Sequence, residues 1–243
     1  MKIGITGSQG FISKHIIDLL KNKNGISFSF FDLPKNNLLK PDEKLKKFVR
    51  NKDVIIHTAA INRGLDIEII AGSIVASYNL ISFIKKPTKL IFLSSTQAET
   101  ETLYGQSKKL TEIMLKNFSN YYKIPVSIFR LTNVFGEGCR PFYNSAVATF
   151  CYQIANNKKI SLYSHSKNKE INLIYVKDVA KIIVKEIFVK HKKPFYFKKV
   201  SSKNQIKIEE LAKLIKIFKN LKDSKKIKNK FEKDLYNTYF SYL

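Results

Sequence analysis

Short apolar segments alternate with segments of helical periodicity through the first half of this 243-residue chain. The apolar segments have the length of single strands and lie at residues 2–6, 27–31, 54–57, 90–94 and 126–131. Between them, residues 10–21 and 107–117 place apolar side chains at helical spacing. Strands that alternate with helices form parallel βαβ units, so the sequence predicts an α/β fold built on a parallel sheet.

The alternation loosens after residue 133, where a loop contains Gly136, Gly138 and Pro141. No Gly/Ser-rich linker divides the chain at this point. We therefore expect residues 1–133 to form the main core and residues 134–243 to form mainly a smaller lobe, with segments that can return to the core.

The second half of the chain contains further helix signals. Apolar side chains follow helical spacing near residues 146–155 and again along residues 208–218. Asp178 is expected to cap another helix, because its carboxylate can accept hydrogen bonds from N–H groups of a first turn. The lysine-rich residues 222–230 are expected to form a solvated connection.

The chain is strongly basic, since 44 Lys and Arg against 19 Asp and Glu leave a net charge of +25. A charge of this size favours anionic partners. The lysines are spread along the whole sequence, however, and it contains no zinc-finger spacing, RNP-type aromatic strand or basic arm. We expect the excess charge to solvate the surface, and we predict no nucleic-acid partner.

The two cysteines, Cys139 and Cys151, are too few for a disulfide framework and too far apart for a C-x-x-C metal site. No neighbouring histidine in the sequence suggests an activated thiol, so both are expected to be inert packing residues. The amino terminus lacks a signal-peptide pattern, and no apolar run approaches the roughly 20 residues that cross a bilayer. We expect a cytoplasmic protein with no membrane span and no metal.

A glycine-containing turn connects the first predicted strand to the first predicted helix. Gly7 permits a tight turn, Gly10 allows the backbone to approach a pyrophosphate, and Ser13 stands where a third glycine is usual. The alternative is an ordinary strand-to-helix turn. The candidate cofactor-binding residues in this segment are Gly7, Ser8, Gln9, Gly10, Phe11 and Ile12.

Asp32 follows the second predicted strand, about 22 residues after Gly10, the separation at which an acidic side chain can bind an adenosine ribose. Lys35 is close enough in sequence to offer its charge to a 2′-phosphate, so the choice between NAD and NADP stays open. The alternative is that Asp32 is a turn residue before Pro34.

The strongest chemical signal is a tyrosine and a lysine four residues apart. Tyr104 and Lys108 lie on one face of a predicted helix. An ammonium beside a phenol favours the phenolate, so Tyr104 is a workable proton donor near neutral pH. Ser94, Ser95 and Thr96 end the preceding strand, and a hydroxyl among them can bind the same substrate oxygen. The alternative is a packed tyrosine beside an exposed lysine.

These motifs together resemble the extended short-chain dehydrogenase/reductase superfamily, which contains nucleotide-sugar epimerases, dehydratases and reductases. The similar segments follow the family's order and cover nearly the whole chain, at residues 6–12, 53–60, 94–95, 104–108, 130–136 and 174–179. The resemblance implies a Rossmann-type, doubly wound parallel sheet with a small C-terminal lobe. Residues 1–133 are then the dinucleotide-binding core, residues 134–243 are mainly substrate-binding, and the enzyme is a homodimer.

A narrower resemblance, carried by residues 60–63, 94–98 and above all 139–151, is to capsular-polysaccharide reductases of UDP-N-acetyl-L-fucosamine biosynthesis. In that family NADPH reduces the 4-keto group of a UDP-2-acetamido-2,6-dideoxy-hexos-4-ulose, and many members continue into a metal-dependent cupin domain. The sequence stops before such a domain, so the resemblance implies the reductase activity only, with epimerisation either carried out by a separate enzyme or absent.

The resemblance also implies roles for individual residues. Ser95, Tyr104 and Lys108 become catalytic, and Lys108 also orients the nicotinamide ribose. Ala59 and Ala60 join the cofactor-binding residues. Asn133, Arg140 and Asn144 become ligands of the UDP-sugar, together with Ser95. Two alternatives stay open in these regions: Arg140 pairs with Glu137 at the surface, and Asn62 and Arg63 either reach phosphates or lie in a solvent loop. His57 is given no catalytic role.

Two features of the sequence argue against the other activities of this superfamily. Residues 96–103 form a shorter segment between Ser95 and Tyr104 than 4-epimerases carry, and Thr96-Gln97 stands where dehydratases have an acid–base pair. Reduction is therefore preferred. The main alternative is a nucleotide-sugar epimerase with tightly bound NAD, and the distant one is a non-catalytic dinucleotide- or nucleic-acid-binding protein.

Overall fold

A computed structural model of the chain describes residues 1–85, 87–162, 167–221 and 227–243. The chain divides into two compact units. The first comprises Met1–Leu131 and Ala180–Val200, and the second comprises Thr132–Val179 and Ser201–Leu243. The binding roles expected for residues 1–133 and 134–243 stay predictions.

The first unit contains a six-stranded, fully parallel sheet in the order β2-β1-β3-β4-β5-β8. Its strands are β1 Lys2–Thr6, β2 Ser27–Phe31, β3 Val54–His57, β4 Lys89–Ser95, β5 Val126–Leu131 and β8 Phe195–Val200. The five predicted strands are confirmed, and β4 is one residue longer at each end than predicted. Because β1 lies between β2 and β3, the order reverses there, and the carboxyl end of β1 borders the crevice where such sheets bind nucleotides.

Helices flank this sheet in a Rossmann-like arrangement, as predicted. They are α1 Phe11–Lys21, α2 Glu43–Val49, α3 Asp66–Ile70, α4 Ala76–Ser82, α5 Leu103–Tyr122 and α7 Val176–Ile187, with a π-helical turn at Ala71–Val75 and a 3-10 turn at Thr96–Glu99. The helix predicted at residues 107–117 is the middle of the 20-residue α5. Thr102 caps α5, because its side chain accepts from Gly105 N.

Apolar residues make the central strands of the sheet. All four residues of β3 and all six of β5 are buried, which is typical of a parallel sheet covered on both faces. A buried ion pair holds the returning segment of the first unit in place: Lys89 Nζ binds the carboxylate of Glu186 and donates to Val189 O at 2.9 Å. Ser127 Oγ donates to the same carboxylate at 2.7 Å.

The second unit contains a three-stranded sheet and three complete helices among its described residues. Its strands are β6 Asn133–Phe135, β7 Glu170–Tyr175 and β9 Gln205–Lys207, and its helices are α6 Ala146–Ala155, α8 Ile208–Phe218 and α9 Lys230–Phe240. β7 pairs with β6 in parallel and with β9 in antiparallel orientation. The helices predicted near residues 146–155 and 208–218 are confirmed.

Two expectations for the second unit need correction. Helix α7 begins at Val176, so Asp178 lies in its first turn rather than at its cap, and the carboxylate instead accepts from Lys230 Nζ at 2.6 Å. Within the predicted connection 222–230, residues 222–226 lie outside the described residues. Its last residue, Lys230, already belongs to α9, because Asn229 caps that helix through Phe231 N. None of the described helices has the length and apolar character that crossing a lipid bilayer requires.

Candidate active site

The glycine turn after β1 is shaped by a close approach of two chain segments. Gly7 has φ +73°, and a Cβ at this position would lie 2.7 Å from the backbone N of Ala59. Only glycine fits both the backbone angle and the space. Gly10 then precedes α1, whose first N–H groups have no intrahelical acceptor. The start of α1 thus offers backbone donors and a positive helix dipole to an anion.

Asp32, directly after β2, holds this turn in place. Its carboxylate accepts hydrogen bonds from Gly7 N, Ser8 N and the Ser8 hydroxyl, with Ser8 N at 3.0 Å from Oδ1. The sequence predicts a ribose ligand here, and no local pattern in it indicates this structural role. The ribose contact stays a prediction. Ser13, at the third glycine position, is fully buried and hydrogen-bonded to Thr58 across 2.6 Å, which shows that a small hydroxyl residue is accommodated there.

His57 at the end of β3 is a buried, fully bonded residue. Its Nδ1 lies 2.7 Å from Thr6 Oγ1, and its Nε2 lies 2.9 Å from Ser77 Oγ. Complete burial lowers the pKa of His57 to about 3, and the nearby Lys108 charge acts in the same direction. The imidazole is therefore neutral.

Tyr104 and Lys108 lie on α5 one turn apart, as predicted. Lys108 Nζ is 5.8 Å from the centre of the Tyr104 ring and 4.6 Å from the centre of the Phe92 ring. It donates to Leu93 O at 3.1 Å, and the residue is only 2% exposed. Burial lowers the pKa of Lys108 to about 8, although the charge of Glu112 opposes the shift. The ammonium thus lies beside the phenol ring with little water around it.

The two serines at the end of β4 are used differently. Ser95 Oγ accepts from Gln97 N at 3.2 Å and so caps the 3-10 turn, while its own hydrogen can still be donated. Ser95 is half-buried. Ser94 is buried, and its hydroxyl donates to Glu112 Oε1 at 2.6 Å. Because side chains alternate along a strand, only Ser95 remains a candidate for binding a substrate oxygen.

A chain of alternating charges leads from the Lys108 region to the surface. Arg130 Nε donates to Glu112 Oε1 at 2.9 Å, and a second guanidinium nitrogen binds Glu112 Oε2. Arg130 Nη1 donates to Glu99 Oε1 at 2.8 Å, and Lys199 Nζ pairs with Glu99 Oε2 at 2.9 Å. The sequence signal for this network is a lone arginine inside the apolar strand β5, because a buried charge needs a partner.

The predicted substrate ligands Asn133, Arg140 and Asn144 all belong to the second unit and are exposed. Asn133 Nδ2 donates to Asn172 O at 3.2 Å. The Arg140 guanidinium lies 5.3 Å from the centre of the Tyr143 ring, where its N–H groups can reach an anionic ligand.

The loop that carries Arg140 is fixed at its base. Glu137 accepts from Tyr175 OH at 2.7 Å and from Lys177 Nζ at 2.7 Å. Tyr242 OH donates to Cys139 O. Cys139 and Cys151 are buried, and burial raises the pKa of both thiols, which supports the prediction that they are inert.

The family of this chain follows from its similarity to known proteins. The model of the NAD dependent epimerase/dehydratase family matches residues 3–193. This chain belongs to that family. The match includes the glycine turn, the end of β4 and helix α5, so the epimerase/dehydratase framework covers every candidate catalytic and cofactor-binding residue.

Among members of the epimerase/dehydratase family, a UDP-2-acetamido-2,6-beta-L-arabino-hexul-4-ose reductase of Pseudomonas aeruginosa is 32% identical over 250 aligned positions. The alignment covers all of this chain and 65% of that protein. The capsular polysaccharide assembling protein CapF of Staphylococcus aureus is a solved structure with 30% identity and a TM-score of 0.77. This chain again spans 65% of its length.

A more distant member of the same fold is the UDP-glucose 4-epimerase of Thermotoga maritima, with a TM-score of 0.84 and 19% identity. The similarity covers all of this chain and 98% of that one. At this level of identity the comparison shows the Rossmann-like fold and nothing about chemistry.

The described residues fit the nicotinamide dinucleotide that the epimerase/dehydratase family name implies. Gly7 lets the turn lie directly against Ala59, and the first N–H groups of α1 after the turn have no intrahelical acceptor and can bind an anion. Among the described residues, the buried Lys108 ammonium has one hydrogen-bond acceptor, Leu93 O, for its three N–H groups. A buried ammonium with unused donors needs further acceptors, and the hydroxyl groups of a ribose have the required chemistry.

Proposed function

We propose that this chain reduces the 4-keto group of a UDP-linked 2-acetamido-2,6-dideoxy-hexos-4-ulose with NADPH, in surface polysaccharide biosynthesis. The observation that carries the proposal is the buried Lys108 ammonium, under-supplied with acceptors, one helical turn from Tyr104. The names of the Pseudomonas and Staphylococcus relatives support the substrate class.

The chain's own residues have two tasks, which are to bind the cofactor and substrate and to transfer a proton. Gly7, Ser8, Gln9, Gly10, Phe11, Ile12, Asp32, Ala59 and Ala60 would hold the dinucleotide. When bound, it supplies the hydride. Ser95 and Tyr104 hold the keto oxygen, and Tyr104 passes its proton to that oxygen as negative charge develops. Lys108 binds the ribose and keeps a positive charge beside the phenol.

The substrate's diphosphate requires cationic and amide groups, and the second unit offers them. Arg140 is suited to charge-assisted bonds with phosphate oxygens, while Asn133 and Asn144 supply amide donors. NADPH is proposed over NADH because Lys35 is exposed after Asp32 and carries the charge that a 2′-phosphate needs.

The test is an assay of the purified chain with a panel of UDP-4-keto-6-deoxy sugars and each reduced nicotinamide. We expect loss of the reduced-cofactor absorbance in a one-to-one ratio with keto-sugar consumed. The matched control is Tyr104→Phe, which removes the proton donor and keeps the ring, so turnover should fall by at least about 100-fold with cofactor affinity nearly intact. An epimerase with bound NAD would convert sugars without net cofactor consumption and would contradict the proposal.

A homodimer through α5 is the second part of the proposal. Leu103, Leu110, Ile113 and Tyr121 lie along the solvent side of this helix and are between 37% and 79% exposed. Exposed apolar side chains along one helix are typical of an interface between copies.

A further inference from the structure

Glu112 joins the helix that carries Tyr104 and Lys108 to two strands. It lies one turn after Lys108 on α5 and is 6% exposed. Its carboxylate accepts from Ser94 Oγ at 2.6 Å and from Arg130 Nε at 2.9 Å. The single side chain of Glu112 therefore fixes α5 against the ends of both β4 and β5.

The end of β4 is held to α5 at two successive residues. Leu93 O accepts from Lys108 Nζ at 3.1 Å, and Ser94 Oγ donates to Glu112 at 2.6 Å. Ser95 is the next residue. Two contacts one helical turn apart remove both sliding and rotation between strand and helix, so the position of Ser95 relative to the turn carrying Tyr104 depends on Glu112.

Glu112 also determines the charge around Lys108. The titratable groups near this ammonium are Tyr104 and Glu112 on α5 and His57 from β3, and Arg130 from β5 is the charged partner of Glu112. His57 is neutral, because burial lowers its pKa to about 3. Arg130 is bound to Glu112 and to Glu99. Glu112 is thus the anionic group that opposes the loss of the Lys108 proton on burial.

We propose that Glu112 is a positioning residue for the reduction, acting through Ser94 on Ser95 and through its charge on Lys108. This inference rests on the proposed function. It differs from a purely structural role, in which the buried Glu112–Arg130 pair contributes only to folding.

The same unit contains a matched control. Glu186 is 5% exposed, accepts from Ser127 Oγ at 2.7 Å and pairs with Lys89. It is therefore similar to Glu112, a buried carboxylate bound by a serine and a cation, with His191 Nε2 as a further partner at 2.9 Å. It does not bind Ser94, and its charge is not among those that act on Lys108. Glu186→Gln reports what breaking such a pair does to folding alone.

The experiment compares Glu112→Gln, Ser94→Ala and Glu186→Gln. For each variant it measures kcat and two pH profiles, that of kcat/KM and that of NADPH binding followed through cofactor fluorescence. For Glu112→Gln we expect kcat to fall by about 10-fold or more. The alkaline limb of both pH profiles should move down by about one pH unit, because the ammonium loses its stabilising charge. Ser94→Ala should lower kcat without moving the limb, and Glu186→Gln should lower the melting temperature while both profiles keep the wild-type form.

The inference is overturned if Glu112→Gln and Glu186→Gln give the same kcat and the same alkaline limb. If Glu112→Gln does not fold, Glu112→Asp replaces it. The shorter side chain keeps the negative charge but moves the carboxylate away from Ser94 and Arg130, so kcat should fall while the alkaline limb of the pH profiles stays at its wild-type position. Wild-type kcat in both Glu112→Asp and Ser94→Ala would also overturn it. If the wild-type chain reduces no keto-sugar, the proposed function fails, while the pH dependence of NADPH binding still tests the effect of Glu112 on Lys108.

Discussion

Lys108 illustrates at the scale of one residue how burial prepares a side chain for chemistry. An exposed ammonium is fully hydrated, whereas Lys108 has Leu93 O and two aromatic rings around it. Its pKa falls to about 8 by loss of hydration. An ammonium in this state has a strong electrostatic effect on the phenol beside it, because little water screens the interaction.

His57 gives a prediction for stability against pH. Its pKa is about 3 in the folded chain and 6.5 in the unfolded chain, so only the unfolded chain takes up a proton as the pH falls through 6.5. The stability that neutral His57 provides is complete above this value and is lost toward pH 3. Between about pH 7 and about pH 5 the expected loss is about 2 kcal/mol.

Denaturant unfolding at both pH values tests this. His57→Gln removes the titrating group. Between about pH 7 and about pH 5, the free energy of unfolding of this variant should therefore fall by about 2 kcal/mol less than that of the wild type. Equal losses in His57→Gln and wild type would show that His57 takes up its proton in the folded chain.

Some residue roles were readable from the sequence and others were not. The pairing of Tyr104 with Lys108 follows from helical spacing, because four residues make about one turn. The bonds of Asp32 to the Gly7–Ser8 turn depend on the pairing of β1 with β2, and those of Glu112 depend on where α5 lies against β4 and β5. Such contacts join residues that are distant in sequence, so local patterns carry no trace of them.

At the scale of the element, the parallel strands were predictable and several helices were not. Strands buried on both faces are continuous apolar runs, as in β3 and β5. The helical region from α3 to α4 was missed, because a π-helical turn at Ala71–Val75 breaks the 3.6-residue period on which detection relies. The short β6 and β9 of the second unit contain three residues each, too few for an alternation to be recognised.

Helix α5 carries the prediction about association. If its exposed apolar side chains form the proposed dimer, Leu110→Glu should place a charge in the interface and shift the protein to monomers. Light scattering should give twice the chain mass for wild type and a single chain mass for the variant. Ile217→Glu on α8 introduces the same charge at another exposed apolar site, 60% exposed, and should leave the dimer intact. A wild-type monomer would contradict the proposal.

At the scale of the whole molecule, the order of segments along the chain differs from their grouping in space. Residues Ala180–Val200 return to the first unit after the second has begun, and β8 completes the six-stranded sheet. The predicted division near residue 133 lies close to the first crossing between units at Thr132. The exact returning segment was not predictable, because it depends on the buried contacts of Lys89 and Ser127 with Glu186.

The proposed reaction transfers a hydride permanently to C4 of a UDP-linked keto-sugar. The most direct measurement uses NADPH labelled with deuterium at its transferable position and follows the label in the product by NMR. We expect one deuterium at C4 of the sugar for each cofactor oxidised, and incorporation at least about 100-fold slower with Tyr104→Phe. A product free of deuterium, formed with no net oxidation of the cofactor, would contradict the account and indicate epimerisation.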